Sequence, residues 1–429
     1  MTASERAPGQ VPSESPLERY AAVRARSEAL AAPLSPEDCG LQSMPDASPV
    51  KWHLAHTSWY FETFVLAPAL PGYRPFRPER GYRVLFNSYY NSVGAQHARP
   101  ERGLLSRPGL DEVMHYRAHV DEALLGGLEQ GAFDAEVLEV LLLGTHHEQQ
   151  HQELILTDLL HAFSRNPLEP VYRGDDAGKM PPGRASGGGA AGFQRFGGGL
   201  REIGHDGAGF AFDNEGPRHR VHLEPFALAE RPVSNAEYQA FVDDGGYRDP
   251  AHWLSDGWAR VQADGWEAPL YWARGDAGWS ALTLRGRRPL APDAPVCHLS
   301  FFEADAYARW AGARLPTEAE WECATADAAV EGNTLESDAL QPRPDGRPGL
   351  AQLFGDVWEW TSSAYGPYPG FRPPPGALGE YNGKFMSGQM VLRGGSCATP
   401  ADHLRASYRN FFHPQARWQF SGMRLARDA

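Results

Sequence analysis

Two histidines four residues apart stand in the run His147-Glu148-Gln149-Gln150-His151. On a helix, positions i and i+4 differ by about 40° around the axis, so both imidazoles leave the same face. Such a pair is a two-point clamp for a divalent metal. A third ligand must come from another helix, and Trp52-His53-Leu54-Ala55-His56 offers two candidates. A lone pair at this spacing is often no more than a polar helix face. Here it follows the apolar ladder EVLEVLLL, where unpaired imidazoles are costly to bury, and a second histidine pair lies on another helix of the same region. His146 is out of phase with the clamp and reads as a surface or supporting residue. His-Glu-x-x-His is also the signature of zinc proteases, in which the glutamate is the general base. Those enzymes take their third ligand from downstream, whereas the histidines available here lie upstream.

The elements that must carry these residues divide the chain in two. From 17 to 172 apolar residues recur at three- and four-residue steps, as in PLERYAAVRARSEALAAPL and DEVMHYRAHVDEALLGGLEQ, which predicts four helices in an up-and-down bundle. Residues 173–199 include the Gly- and Pro-rich RGDDAGKMPPGRASGGGAAG and read as linker or exposed loop. From 200 to 429 the chain has short apolar runs, many glycines and prolines, and two clear helical segments. One is NAEYQAFVDD, capped by Ser234 or Asn235; the other is FFEADAYARWAG, closed by Gly312. The polar residues 1–16 lack the apolar stretch of a signal peptide and read as a disordered leader.

At 429 residues the chain is too long for a single ordinary core. A net charge of −14 argues against nucleic acid or an anionic membrane as partner. No apolar run approaches the ~20 residues of a membrane helix. Cys39, Cys297, Cys323 and Cys397 make no disulfide framework. A cytoplasmic protein acting on small molecules is expected.

KWHLAHTSWYFE and HHEQQHQELILTDLLH together resemble the N-terminal half of the ergothioneine-biosynthesis sulfoxide synthases, the EgtB family. PRHRVHLEPFALAERPVSNAEYQAF, ARLPTEAEWE, LFGDVWEW and VLRGGSCATP resemble their C-terminal half. The resemblance implies a two-domain α + (α+β) fold. A DinB-like four-helix bundle precedes a formylglycine-generating-enzyme-like domain, the sulfatase-modifying-factor variety of the C-type lectin fold. It also implies Fe(II) held by His56, His147 and His151, with O2 as cosubstrate; a structural calcium ion is left open. Gln150 matches a position that bonds the substrate imidazole, and Asn410 one that meets the carboxylate of a trimethylated histidine. Phe411, Phe412 and Trp418 offer aromatic faces to its quaternary ammonium, and Arg417 belongs to the same substrate-binding stretch. Three neutral imidazoles leave about three metal positions open without adding negative charge.

Tyr89 and Tyr90, in FNSYYNSVG, match the place where one branch of the family carries its catalytic tyrosine. RLPTEAEWE and Gly394-Gly395-Ser396 read as fold-bracing. Formylglycine-generating enzymes use a cysteine pair near the C-terminus, and only Cys397 stands in that region. The γ-glutamylcysteine-using branch carries Asp soon after the Arg-Asn pair, where this chain has Phe411-Phe412-His413. Cysteine is therefore the expected sulfur donor to imidazole C2. The alternatives are a selenoneine synthase joining a selenosugar to the same betaine, and a non-catalytic binding module with a vestigial metal site.

Overall fold

The computed structural model describes residues 15–174 and 191–429. Of the expected leader, residues 1–14 lie outside the described part; Ser15 caps the first helix through a reciprocal pair of bonds with Glu18. That helix, α1 (Pro16–Ala31), is followed by α2 (Val50–Phe61), α3 (Leu110–Glu129) and α4 (Ala135–Ser164). These are the four bundle helices the periodicity predicts. Asp134 caps the start of α4, its carboxylate accepting from Val137 N at 2.9 Å. Gly144 lets α4 close on α2, since a Cβ there would meet the Phe61 and Tyr60 rings at 2.5 and 2.6 Å.

An ion network crosses the bundle interior. Arg24 and Arg117 each donate to the buried Glu148 carboxylate, at 2.9 and 3.0 Å, and Arg24 also reaches Asp121 at 2.7 Å. Burial alone would raise the Glu148 carboxyl, but the two guanidiniums hold it below its ordinary value.

Residues 175–190 of the expected linker lie outside the described part. Downstream of them, Phe193–Phe196 is already a strand, with Phe196 stacked on Phe226 at 5.0 Å. Its two phenylalanines give the glycine-rich stretch enough apolar surface to join a sheet. The sheet runs Phe193–Phe196, Phe226–Ala229, Ala426–Asp428, so the beginning and end of the second domain flank one central strand. A four-stranded sheet runs Asn410–Phe412, Met390–Arg393, Trp358–Ala364, Ser421–Gly422, and Leu392 stands opposite Asn410. The helices Asn235–Asp243, capped by Ser234, and Phe301–Trp310 form where expected. Two more helices were not anticipated: Ser255–Asp264, which has no side-chain cap to mark its start, and Glu318–Thr325, which is only eight residues long.

The RLPTEAEWE stretch braces the fold: Glu318 accepts from Arg409 and Arg393, and Arg393 also reaches Glu322 at 2.9 Å. This clamp fixes the backbone beside Asn410. The two domains meet along α4. Glu153 accepts from Trp358 Nε1, Ser396 Oγ and Thr399 Oγ1 at 2.8, 2.6 and 2.7 Å. No described helix is long and apolar enough to cross a membrane.

Candidate metal centre

α2 and α4 bring His56, His147 and His151 together in the bundle interior, with one ring nitrogen from each lying within 4.8 Å of the others. Two of the three rings are oriented from behind, whereas the buried Nδ1 of His147 has no hydrogen-bond partner among the described residues. His56 Nδ1 donates to the Phe86 carbonyl at 2.6 Å, which leaves the Nε2 lone pair facing the cluster. The same ring is stacked between Trp52 and Trp59, at 4.7 and 5.6 Å. Behind His151 stands a relay. As a carboxylate Asp158 only accepts, so His53 Nε2–H, 3.2 Å away, is the donor. His53 Nδ1 then accepts from His151 Nδ1–H at 2.8 Å, and His151 Nε2 is left as a lone pair. Ser48 N and Trp418 Nε1 also donate to Asp158, at 2.8 and 3.2 Å.

The pair His53 and His56, left open by spacing, is thus divided: His56 joins the cluster and His53 stands behind it. Burial pushes all three clustered imidazoles below the ordinary histidine value, His147 to about 3. Neutral rings are the ligand form. His56 Nε2 and His147 Nε2 face each other at 3.2 Å. The donor set fits non-haem iron, with three neutral nitrogens converging from two rigid helices. Glu148 faces the other way, into its arginine pair, and cannot serve as a base here.

His147 and His151 open onto a cavity of about 440 Å³ between the domains. The bundle side adds His53, Tyr89, Arg99, Arg102 and Gln150, and the C-terminal side Tyr381, Phe385, Tyr408, Asn410, Phe411, Phe412 and Trp418. Nearly all the sequence-derived candidates therefore converge. Asn410 Oδ1 accepts from Phe411 N at 2.9 Å. Phe411 stacks on Tyr365 at 3.9 Å, and Phe412 meets Trp418 edge-on at 6.1 Å.

Two candidates stand apart. Arg417 does not line the cavity; it is ion-paired to Glu303 at 2.6 Å and lies over the Trp266 ring at 4.2 Å. Its buried carboxylate partner, hidden in the helix Phe301–Trp310, could not be read from sequence. Tyr90 is wholly buried, packed between Trp59, Phe64 and Tyr89, and is also absent from the cavity wall. Tyr89 is on the wall, and its loop is pinned to the C-terminal domain where Glu380 accepts from Asn91 N and Ser92 N at 2.9 and 2.8 Å.

Several wall residues escaped sequence reasoning. Tyr381 packs edge-on against His147 at 5.5 Å and donates its hydroxyl to Gln150 Oε1. Gln150 Nε2 in turn donates to the Tyr408 hydroxyl at 2.7 Å. Arg102 lies over the Trp52 ring at 3.4 Å, and its Nε has no hydrogen-bond partner among the described residues. Arg99 and Arg102 sit in the short 3-10 helix Arg99–Leu104 and Tyr381 directly follows another, Ala377–Glu380, and neither is long enough to show a period in the sequence.

Residues 19–155 match the DinB superfamily, and 193–347 with 340–429 match the sulfatase-modifying factor enzyme 1-like domain. The hercynine oxygenase of Mycolicibacterium thermoresistibile is 36% identical over 90% of this chain and 88% of its own length. That of Mycolicibacterium smegmatis is 35% identical over 90% and 92%. The formylglycine-generating enzyme of Streptomyces coelicolor is 30% identical, but over only 52% of this chain and 84% of its own. Matched along both domains in order, the chain belongs to the hercynine oxygenase (EgtB-type) family and is an oxidoreductase of that kind.

Proposed function

We propose that the protein joins a thiol to imidazole C2 of Nα-trimethylhistidine, using Fe(II) at His56, His147 and His151. The reaction balances with one O2: the imidazole C–H and the thiol S–H are lost, and C–S and S–O bonds form. One oxygen atom ends in the sulfoxide and the other in water. Bound iron would supply the redox chemistry that lets O2 accept these electrons; the chain's own residues bind and orient the partners. The carrying observation is a cluster of three neutral imidazoles, two of which, His147 and His151, open onto an interdomain cavity of about 440 Å³ walled by Asn410, Phe411, Phe412 and Trp418. This suits a betaine, with the amide toward the carboxylate and the rings toward the trimethylammonium. Gln150 lies next to the ligand histidines and is assigned to the imidazole. Arg417 is taken up by Glu303 and has no place in this assignment.

Arg99 and Arg102 on the same wall favour a donor carrying a carboxylate. Cysteine meets this requirement, whereas a selenosugar brings no carboxylate. The four free thiols accord with a cytoplasmic setting. The deciding experiment is anaerobic reconstitution with Fe(II), then exposure to O2 and mass spectrometry of products from trimethylhistidine with cysteine, γ-glutamylcysteine or a selenosugar. A sulfoxide from cysteine is expected. A carbon–selenium product from the selenosugar alone would overturn the donor assignment, and no betaine-dependent product would overturn the reaction.

A further inference from the structure

A second pair of buried histidines, outside the metal cluster, joins the two domains. His146 of α4 and His403 of the C-terminal domain meet Nδ1 to Nδ1 at 2.9 Å. Phe210 stacks flat on His146, with ring centres 3.8 Å apart. On the outer side Arg19 NH2 lies 3.2 Å from His146 Nε2, while the same guanidinium bonds Thr145, Gln149 and Asp402. On the inner side His403 Nε2 lies 3.0 Å from the Tyr408 hydroxyl, the group that Gln150 Nε2 also reaches at 2.7 Å.

The direction of every bond in this row follows from its first member. A guanidinium has donors and no acceptor, so His146 Nε2 accepts from Arg19. A ring nitrogen that accepts carries no proton, so each of these two rings is a neutral imidazole with one proton, on its other nitrogen. The His146 proton is therefore on Nδ1 and goes to His403 Nδ1. His403 then carries its proton on Nε2 and donates it to Tyr408. With Gln150 donating as well, both lone pairs of the Tyr408 oxygen are filled. Among the described residues no protein group accepts the Tyr408 proton, and Tyr408 lines the cavity.

We propose that Arg19, His146 and His403 form a one-way hydrogen-bond chain that makes Tyr408 an obligatory donor into the cavity, selecting substrates with an acceptor atom at that point. Arg19, His146 and His403 are positioning residues; Tyr408 is the group that touches substrate. A carboxylate and an unprotonated imidazole nitrogen share the required chemistry. The identity of the ligand rests on the function proposed above, but the direction of the chain does not.

Two measurements test this. In metal-free protein labelled with 15N-histidine, long-range 1H–15N correlations should find His146 protonated at Nδ1 and His403 at Nε2. His403 protonated at Nδ1 would overturn the proposal whatever the ligand. The second measurement is trimethylhistidine binding, by calorimetry, to the parent, Tyr408→Phe, His403→Gln and His403→Glu, each checked for parental melting temperature. Glutamine can accept from His146 and donate to Tyr408, whereas glutamate only accepts and would draw the Tyr408 proton away. Tyr408→Phe and His403→Glu should bind about tenfold to a hundredfold more weakly, the range of one hydrogen bond to a charged group, with His403→Gln near the parent. Equal weakening in His403→Gln and His403→Glu would mean simple packing and overturn the chain. Decarboxylated betaine separates the two acceptors, because its binding is insensitive to Tyr408→Phe only if the acceptor is the carboxylate. A parent that binds no betaine would instead overturn the proposed substrate and leave the tautomer result standing.

Discussion

Glu148 and His147 are neighbours in sequence and face different surroundings from the same helix. His147 opens onto the interdomain cavity, while the Glu148 carboxylate turns inward to Arg24 and Arg117 at 2.9 and 3.0 Å. A protease-like motif is thereby split into a metal-facing half and a fold-stabilising half. Glu148→Gln is expected to weaken the bundle by about 3–5 kcal/mol, the cost of leaving buried charge unpaired. The carboxyl is held below its ordinary value of 4.5. Its ionised form therefore adds stability above the unfolded-state pKa, and that contribution is lost as pH falls through the lower folded value. Urea unfolding at neutral and acidic pH should show the gap between parent and variant closing in acid. A stable but inactive variant would return the glutamate to a catalytic role.

His147→Ala or His151→Ala should abolish iron binding while the bundle stays folded, as read by metal analysis and circular dichroism. His53→Ala should keep a site but weaken it about tenfold to a hundredfold, because the Asp158–His53–His151 relay orients a ligand without supplying one. Full iron occupancy in the first two variants would sink the ligand set.

The clamp was legible because helical spacing alone puts His147 and His151 on one face. The same spacing could not choose between His53 and His56. Three residues apart on α2, both face α4, and only the depth of each ring, set by Trp52, Trp59 and Asp158, separates them. The bundle was readable from its 3.6-residue period. Tyr381, Arg99 and Arg102 were not, because their places on the wall depend on how short 3-10 segments fold against the rest of the chain, and segments that short carry no period. Arg417 shows the converse: it sits in the expected stretch, but Glu303, more than a hundred residues away in sequence, takes its charge.

Removing a guanidinium should tell which end of the cavity holds the thiol donor. Arg99→Ala and Arg102→Ala are expected to raise the KM for cysteine about tenfold to a hundredfold while leaving betaine binding unchanged, since a charge-assisted bond contributes about 1.5–3 kcal/mol. Steady-state kinetics with each substrate varied in turn provides the check. An equal effect on both substrates would mean that the arginines support the cavity as a whole.

The loop tyrosines should behave differently from each other. Tyr89 lines the cavity beside Tyr381 and Phe385, whereas Tyr90 is enclosed by Trp59, Phe64 and Tyr89. A thiol beside an oxidising metal can be oxidised outright to a sulfinic acid or diverted into attack on the imidazole, and a phenol within hydrogen-bond reach can favour the second path by supplying a proton. Burial pushes the Tyr89 and Tyr381 hydroxyls up, so both stay protonated at neutral pH and can fill that role. Tyr89→Phe and Tyr381→Phe should therefore keep iron and betaine binding, and at least one of them should shift products toward sulfinic acid. Tyr90→Phe should partition like the parent. Product ratios from the three variants, measured by mass spectrometry under one oxygen pressure, decide the matter. A shift in Tyr90→Phe alone would show that the enclosed hydroxyl acts through its neighbour, and parental ratios in all three would move the proton donor to Tyr408.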